Sequence, residues 1–481
     1  MELFLSSVIL ISLKRMISFS FLDIAVIIFF FIALLAIGFI SSRKTKSNSE
    51  DYLLSGRKLN LFLYVLISVS TWYGGIIGVG EFTYRYGLVS WFTQGFPYYF
   101  FAFLFAIFFA KKIREASLFT IPDKLTEVYG KKVGLISAII VFVLVSPAQY
   151  LLMTANLISL IFDLPIIFSL ILSVILSGSY LIKGGFRSNI YVDAFQFFVM
   201  FGGFIIALVV SVSTFGGIDF LSSNLPENHL MITGGTSPAF IIVWFLIALW
   251  TFADPGFHQR TYAAKDGTVA RNGILVSIVF FAIFDFLTTS TGLYAKAILP
   301  ELPQPMMAYP LFAEKVLGSG IKGIFYAAMF ATIISTLNSF LFLSATTIGR
   351  DFIFRIRNDG NDSRIKSYAI IGIIVSGILS IVIAYLIPSV VEIWYTIGSL
   401  FIPGIILPVI SSYYPKLKIS HRLIITEIFF ALTSSILWML IRNNLSGLLF
   451  EIEPMIVGLF AAVLVHLAGL IGRFFIFKEG Q

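Results

Sequence analysis

The chain has 481 residues, of which 58% are hydrophobic and 12% are charged, and its mean hydropathy is +0.96. Soluble domains carry about 25% charged residues, so this composition excludes a soluble protein and indicates a chain surrounded by lipid. The formal net charge is +8 and cysteine is absent, which excludes disulfides, thiolate metal sites and cysteine nucleophiles.

Thirteen apolar stretches reach the length of about 20 residues that a membrane-spanning helix needs. They cover approximately residues 21–41, 60–84, 91–110, 133–161, 165–182, 190–214, 239–258, 273–297, 323–349, 368–388, 392–411, 423–441 and 454–472. The longest connection, residues 215–238, contains no lysine or arginine and is predicted to be an outward-facing connector or a lid. The sequence therefore predicts an all-α polytopic membrane protein embedded in a lipid bilayer.

The lysine and arginine residues are distributed unevenly between alternate loops. If the N-terminus lies outside, the inner loops hold 26 of the 33 and the outer loops hold 7. Cytoplasmic loops carry such an excess, so we predict an outer N-terminus, a cytoplasmic C-terminus and a plasma membrane of the bacterial inner-membrane type. This topology explains the charge of +8, and no nucleic-acid partner is expected. Arg260 and Lys265 are predicted to anchor the cytoplasmic edge of the seventh stretch.

The second and seventh stretches contain residues that interrupt helices. The second carries Ser-Thr-Trp-Tyr-Gly-Gly at residues 70–75, and the seventh carries Asp254, Pro255 and Gly256 after an apolar run. Proline removes a backbone donor and glycine weakens a helix. For either segment alone, a packing glycine or a proline kink is the favoured explanation. Two such interruptions five helices apart indicate instead a secondary transporter that binds ions and substrate near the membrane midplane.

Four hydroxyl residues follow a helical spacing in the ninth stretch. Thr332, Ser335, Thr336 and Ser339 occupy positions i, i+3, i+4 and i+7, so they share one helix face. Taken alone, such a stripe of small residues is typical of helix packing. Opposite an unwound segment, the same hydroxyls supply the hard oxygen ligands that an alkali cation needs.

Ionisable residues inside the apolar stretches are few. A charge at the bilayer centre costs about 2.5 to 3.5 kcal/mol, so each acid should face the interior of the bundle. Asp193 is the best candidate for an ion relay, whereas Asp285 is interpreted as a structural acid. Glu81 precedes Arg85 by four residues, which predicts either a helical ion pair or a role at the outer mouth. His258 is interpreted as a hydrogen-bonded helix-end residue rather than a proton carrier.

Several separated segments form a specific combination whose order and spacing cover residues 50 to 411. They are Tyr-Leu-Leu-Ser-Gly-Arg at 52–57, Thr-Trp-Tyr-Gly-Gly at 71–75, Tyr-Arg-Tyr-Gly at 84–87, Asp-Ala-Phe-Gln at 193–196, Gln-Arg-Thr-Tyr-Ala-Ala-Lys-Asp at 259–266, and Ser-Thr-Leu-Asn-Ser at 335–339 running to Arg350 and Asp351. Together these segments resemble the sodium:solute symporter family, which includes glucose, proline, pantothenate, sialic acid and choline transporters.

The resemblance implies a five-plus-five inverted-repeat core of the leucine-transporter type, with one helix before it and two after it. The chain would then divide into residues 1–59 with the first helix, a first repeat at 60–214, an external loop at 215–238, a second repeat at 239–411, and two final helices with a short cytoplasmic tail at 412–481. Transport by alternating access is implied as well.

The resemblance also implies a main sodium site between the second and ninth stretches. Its ligands would be the hydroxyls of Ser335 and Thr336, the carbonyl of Thr332, and two carbonyls of the interrupted second stretch. The chain is two residues shorter in this region than relatives that share its motif, so two registers are open. Anchoring on the Thr-Trp pair gives the carbonyls of Ser70 and Tyr73, which we prefer, and anchoring on Tyr84 gives those of Ser68 and Thr71.

A second sodium is implied for some family members and would lie near Asp193 and Ser339. Asn338 stands where those members often have serine, so the number of sodium ions stays open. Substrate would lie between the two interruptions, near Trp72, Gly74, Gly75, Asp254, Pro255 and Gly256. Trp72 resembles the choline-transporter subgroup and could stack on a cationic substrate, but packing against lipid or core is an equal alternative.

We therefore predict a sodium-coupled symporter of a small organic solute, with Na⁺ as coupling ion, no other cofactor and no obligate protein partner. One alternative keeps the fold and couples transport to protons through Asp193 or His258. Another is a sensor or channel on a transporter scaffold. A membrane enzyme is disfavoured, because no grouping of nucleophile, base and orienting residue is recognisable and neither an HExxH nor a GxxxxGK[ST] motif occurs.

Overall fold

The computed structural model describes residues 17–46, 48–302, 304–357, 361, 364–387, 389–442 and 444–479. Within these ranges the chain is helical and contains no strand beyond a single bridge between Leu59 and Ala264. The start of the predicted N-terminal region, residues 1–16, lies outside the described residues.

The helices are numbered in chain order. They are α1 Phe21–Ser42, α2 Ser49–Leu54, α3 Leu61–Trp72, α4 Ile76–Tyr86, α5 Val89–Gln94, α6 Phe96–Phe108, α7 Ala110–Ala116, α8 Ile121–Tyr129, α9 Lys131–Leu144, α10 Ala148–Phe162, α11 Ile166–Phe215, α12 Ile218–Asn224, α13 Pro238–Ile247, α14 Pro255–Ala263, α15 Gly267–Ile298, α16 Ala308–Val316, α17 Ile321–Thr346, α18 Arg355–Arg357, α19 Ile365–Leu386, α20 Val390–Phe401, α21 Pro403–Tyr413, α22 His421–Arg442, α23 Leu448–Glu451 and α24 Pro454–Glu479.

The described residues contain ten helices or joined helices that are long and apolar enough to cross a membrane, or twelve if each of two bent pairs is one span. The bent pairs are α3 with α4, at 60°, and the end of α20 with α21, at 48°. Large apolar side chains such as Phe29, Ile378 and Phe460 are exposed on these helices, as expected for surfaces that face lipid. The chain is therefore a multi-pass membrane protein.

Helix α11 joins two of the predicted spans. Its 50 residues would measure about 75 Å as a straight helix, more than twice the bilayer core. The helix is broken at Gly185, whose φ of 52° is open to glycine, and a Cβ there would lie 2.4 Å from the carbonyl oxygen of Tyr52. The predicted stretches 165–182 and 190–214 are thus the two arms of one bent element. The total of thirteen spans stays a prediction, because it depends on whether these arms are counted separately.

Helix α17 lies at the centre of the molecule. In the span that contains α17, 89% of the residues in the most apolar 18-residue segment are buried inside the molecule. The corresponding share is 28% for α1, α22 and α24. Small residues allow this close packing: a Cβ on Gly203 of α11 would lie 2.3 Å from the Cβ of Ala328. The hydroxyl stripe of the ninth stretch is therefore carried by the most enclosed helix. The chain continues beyond α17 as a π-helix at Thr347–Phe354.

Helix α1 is fastened to the beginning of α17 by one carboxylate. Asp23 is fully buried and accepts hydrogen bonds from the backbone nitrogens of Gly320 and Gly323 at 2.8 and 2.9 Å. These nitrogens belong to the first turn of α17, where N–H groups have no partner within the helix and a negative charge is favoured. The first span thereby packs onto the helix that carries the candidate ion site.

The loop at residues 215–238 packs on the C-terminal end of α4. The carbonyl oxygen of His229 accepts a hydrogen bond from Leu88 N at 2.8 Å, and its imidazole Nε2 lies 3.2 Å from the carbonyl oxygen of Tyr84. Burial lowers the pKa of His229 below its ordinary value. The loop that we predicted to be a connector or a lid is thus docked against α4, the second half of the interrupted second span.

Candidate ion and substrate site

The second span is interrupted between Trp72, where α3 ends, and Ile76, where α4 begins. The last carbonyl groups of a helix have no donor within it and can accept other partners. Gly74 lies in this gap against α17, and a Cβ there would be 2.4 Å from Thr336 Oγ1 and 2.6 Å from Tyr150 Cε1. The gap therefore needs glycine at this position to approach the central helix.

The hydroxyl stripe of α17 faces this interruption. Thr336 Oγ1 donates to the carbonyl oxygen of Thr71 at 2.6 Å, and it lies 3.3 Å from the carbonyl oxygen of Thr332. Ser335 Oγ lies 3.2 Å from Ser70 Oγ. All four of the residues Ser70, Thr332, Ser335 and Thr336 are at most 2% exposed. The structure thus places the hydroxyls of Ser335 and Thr336 beside the second span, with the carbonyl oxygens of Thr332 and Thr71 in contact with Thr336.

The two predicted pairs of carbonyl ligands in the second span have different contacts in the structure. The carbonyl oxygen of Thr71, from the register anchored on Tyr84, contacts Thr336. Ser68 of the same register is 7% exposed. In the preferred register, Ser70 Oγ lies 3.2 Å from Ser335 Oγ, and Tyr73 donates its hydroxyl to the carbonyl oxygen of Phe281 at 2.7 Å.

Asp193 lies directly beside the same hydroxyls. Its Oδ1 accepts a hydrogen bond from Ser335 Oγ at 2.8 Å, and its Oδ2 accepts from Thr71 Oγ1 at 3.2 Å and from Asn189 Nδ2 at 3.0 Å. The carboxylate is fully buried. Ser339 joins the group, because its Oγ accepts from Asn189 Nδ2 at 2.9 Å. The residues predicted for the main and the second ion position therefore form one continuous cluster of oxygens.

Arg260 was predicted at the cytoplasmic edge, and that prediction is wrong. The residue is 4% exposed, and its guanidinium donates to Thr71 Oγ1 at 2.6 Å and to Ser339 Oγ at 3.0 Å. Lys265, predicted at the same edge, is exposed. The spacing of charges along the sequence could not distinguish the two residues, because the position of Arg260 depends on how closely α14 approaches α3. Asn189 was missed as well, since a single amide in an apolar stretch gives no pattern.

The seventh span is interrupted where the sequence predicted. Helix α13 continues as a 3₁₀ turn at Ala248–Phe252, and α14 begins at Pro255. Asp254 is the N-cap of α14, because its Oδ1 accepts a hydrogen bond from Phe257 N at 2.9 Å. His258 Nε2 lies 3.0 Å from the carbonyl oxygen of Phe252, which agrees with its interpretation as a hydrogen-bonded helix-end residue. Asp254, Pro255 and Gly256 thus lie at a true helix junction.

Trp72 lies between the two interruptions in an aromatic cluster. Its ring centroid is 4.8 Å from that of Phe257, 5.2 Å from that of Phe281 and 5.3 Å from that of Tyr98. These rings come from α14, α15 and α6. Trp72 is partly exposed. Of the two alternatives for Trp72, these contacts show packing of its ring inside the bundle.

The remaining acids have local partners. Asp285 accepts a hydrogen bond from the hydroxyl of Tyr99, in keeping with its interpretation as a structural acid. Glu81 Oε1 lies 2.9 Å from Arg85 Nη2, so the ion pair expected from their spacing is present. The pair lies at the C-terminal end of α4, where Arg85 is exposed and Glu81 is partly exposed.

Comparison with known proteins gives a family and a set of relatives. The family model described as sodium:solute symporter family matches residues 52–417. The sodium/pantothenate symporter of Escherichia coli K12 is 26% identical over 73% of this chain and 76% of its own length. The sodium/glucose cotransporter of Vibrio parahaemolyticus is 25% identical over 76% and 75%, and the human high affinity choline transporter 1 is 25% identical over 77% and 69%.

Two solved structures share the fold. A Na⁺-coupled sialic acid symporter in a substrate-bound, outward-open state has a TM-score of 0.82 at 17% identity, covering 94% of this chain and 97% of its own. Mhp1, a transporter of the nucleobase-cation-symport-1 family in a closed conformation, has a TM-score of 0.54 at 13% identity, covering 87% and 93%. At these identities the likeness concerns the fold alone.

Proposed function

The chain belongs to the sodium:solute symporter family, and on that premise we propose that it carries a small organic solute across the plasma membrane by alternating access, driven by sodium. Family membership and the names of the relatives support sodium-coupled solute symport by a transporter rather than an enzyme. Each sodium ion that crosses 100 mV supplies about 2.3 kcal/mol, before any concentration gradient is counted. That amount is enough to concentrate a solute.

The observation that carries the proposal is the contact between the hydroxyl stripe of α17 and the interrupted second span. Thr336 Oγ1 meets the carbonyl oxygen of Thr71 at 2.6 Å. Hydroxyl and carbonyl oxygens are the hard ligands that a dehydrated alkali cation needs. We assign the main sodium position to the hydroxyls of Ser335 and Thr336 and the carbonyl of Thr332. The carbonyl of Thr71, from the register anchored on Tyr84, is added as a further ligand because it already contacts Thr336.

We assign the solute to the space between the two interruptions. The helices are interrupted there at Gly74 and Gly75 in the second span and at the junction from Asp254 to Gly256 in the seventh. The proposed organisation keeps the first repeat at residues 60–214, the second at 239–411 and two further helices after them. In this arrangement each repeat contributes one interrupted span to the site, as in transporters whose repeats are inverted.

The test is a comparison of salts on the purified protein in detergent. Melting temperature is measured while NaCl replaces KCl or choline chloride at constant ionic strength. A ligand at a hundred times its dissociation constant stabilises by about 2.7 kcal/mol, so we expect a stabilisation specific to sodium. Ser335→Ala removes a proposed ligand and should abolish the stabilisation.

Ser344→Ala is the matched control. Ser344 is a buried serine on the same helix, and its hydroxyl pairs with Ser376 at 2.8 Å, away from the proposed site. This variant should keep the full response to sodium. Equal melting temperatures in all three salts would refute sodium coupling and favour the proton-coupled alternative, which a titration of the same protein against pH would then examine.

A further inference from the structure

A buried guanidinium lies among the oxygens around Asp193. Nη2 of Arg260 donates to Thr71 Oγ1 at 2.6 Å and to Ser339 Oγ at 3.0 Å, and it lies 3.9 Å from Asp193 Oδ2. Arg260 belongs to α14, the inner helix of the interrupted seventh span. One side chain therefore connects α14 to α3, α11 and α17.

The hydrogen bonds of Ser339 leave no room for a cation ligand. Its Oγ accepts from Asn189 Nδ2 at 2.9 Å and from Arg260 Nη2 at 3.0 Å. A hydroxyl oxygen has two lone pairs, and these two donors use both. A sodium ion needs a lone pair of each oxygen that it contacts, so it cannot use Ser339 while both donors are in place.

The charges of Asp193 and Arg260 also argue against a sodium ion beside the guanidinium. Asp193 is fully buried, and a buried carboxylate needs a compensating positive charge nearby. Arg260 supplies that charge at 3.9 Å. A sodium ion among the same oxygens would supply it as well, and two cations in one buried site repel each other strongly. The guanidinium and a sodium ion are thus alternative partners of the same carboxylate.

We propose that Arg260 is a tethered cation that competes with sodium for the oxygens of Thr71, Asp193 and Ser339. Sodium enters this position only when the guanidinium withdraws. Nη1 of Arg260 also donates to the carbonyl oxygen of Gly256 at 3.0 Å, at the helix junction of the seventh span. Withdrawal of Arg260 therefore breaks a contact at that junction. The inference rests on the proposed sodium-coupled function and extends it by linking ion occupancy to the inner half of the seventh span.

A purely structural arginine makes the opposite prediction. If Arg260 only held the four helices together, its removal would loosen the oxygens and weaken sodium binding. If it competes with sodium, its removal frees two hydroxyls and one carboxylate for the ion and strengthens binding. The direction of the change in sodium affinity therefore distinguishes the two roles.

The experiment is a sodium titration of melting temperature in detergent, with choline chloride keeping the ionic strength constant. For Arg260→Gln we expect the half-saturating sodium concentration to fall about tenfold from that of the unaltered protein. Arg260→Lys keeps a charge on a shorter side chain and should give an intermediate value. In Arg260→Gln combined with Asp193→Asn the gain should disappear.

Arg114→Gln is the matched control, because Arg114 donates to the carbonyl oxygens of Ala264 and Lys265 just beyond α14 and does not reach the oxygens around Asp193. It should leave sodium affinity unchanged. An unchanged or weaker affinity in Arg260→Gln overturns the inference while the sodium response of the unaltered protein upholds the proposed function. If Arg260→Gln does not fold, Arg260→Lys decides in the same way. A complete lack of sodium response in the unaltered protein refutes both.

Discussion

Gly74 brings the interrupted second span into contact with the hydroxyl stripe. A Cβ at this position would lie 2.4 Å from both Cβ and Oγ1 of Thr336, closer than side-chain atoms can pack. Overpacking of this kind costs about 1 to 3 kcal/mol, and here it would separate the carbonyl oxygen of Thr71 from Thr336. We expect Gly74→Ala to weaken sodium binding by about tenfold or more, measured by the sodium titration of melting temperature.

Gly202→Ala provides the control for this prediction. Gly202 also lies in a helix of the bundle, but no heavy atom is within 4 Å of the position of its added Cβ. Alanine is the better helix former by about 1 kcal/mol, so this variant should be at least as stable as the unaltered protein and should bind sodium normally. Normal sodium binding by Gly74→Ala would show that the span does not need this close approach.

Single residues were predictable from sequence where their role is local. The hydroxyl stripe shares a helix face because Thr332, Ser335, Thr336 and Ser339 have helical spacing. Pro255 begins a helix because the first turn does not need its missing backbone donor. Arg260 was not predictable in this way. Arg260 is buried because α14 packs against α3. Its hydrogen-bond partner Thr71 lies 189 residues earlier in the chain. An arginine after an apolar run looks the same in sequence whether it faces water or the core.

At the scale of elements, an ion-pair cluster joins α8 to the π-helix that follows α17 and to the start of α18. Asp123 accepts from Arg350 Nε at 2.9 Å and from Arg355 Nη2 at 2.7 Å, and Thr120 Oγ1 donates to Asp351 at 2.8 Å. The carboxylate and both guanidinium groups are at most 15% exposed. Because these pairs are largely shielded from water, we expect Asp123→Asn to lower the free energy of unfolding by about 2 kcal/mol, seen as a lower melting temperature in detergent.

Glu127→Gln is the comparison for this variant. Glu127 lies on the same helix and pairs with Lys124 at 2.8 Å, but its side chain is 53% exposed. Exposed pairs contribute little, so its loss should leave the melting temperature nearly unchanged. Equal effects of the two substitutions would mean that the Asp123 cluster does not fasten α8 to the central helix.

The sequence predicted the presence of the helices better than it predicted where each helix is bent or broken. The stretch 392–411 was expected to be one span, but α20 and α21 meet at a bend of 48°. Pro403 explains the bend, since it has no backbone N–H with which to continue the hydrogen bonding of α20. Gly185 also redirects the backbone, because it breaks α11 between the two stretches that were predicted as separate spans. Hydropathy measures the length of apolar runs and is insensitive to a single residue that redirects the backbone.

At the scale of the whole molecule, composition was sufficient to predict a helical membrane protein. Hydropathy did not predict which helix lies at the centre, because α17 and the peripheral α1 are both apolar. The difference lies in small residues such as Ala328 and Ser335, which admit neighbouring helices on every side of α17. The central position of α17 therefore follows from its close packing, and the candidate site lies on this closely packed helix.

The orientation of the molecule in the membrane is open to a direct test, because the chain contains no cysteine that would need removal. Ser222 in the external loop and Lys58 in the loop before α3 are both exposed. The excess of basic residues in alternate loops places Ser222 outside and Lys58 inside. In intact cells, Ser222→Cys should react with a membrane-impermeant maleimide, whereas Lys58→Cys should react only after the membrane is permeabilised. If only Lys58→Cys is labelled in intact cells, the topology is the reverse of the predicted one. If both variants are labelled, the two loops lie on the same side of the membrane, which contradicts an odd number of spans between them.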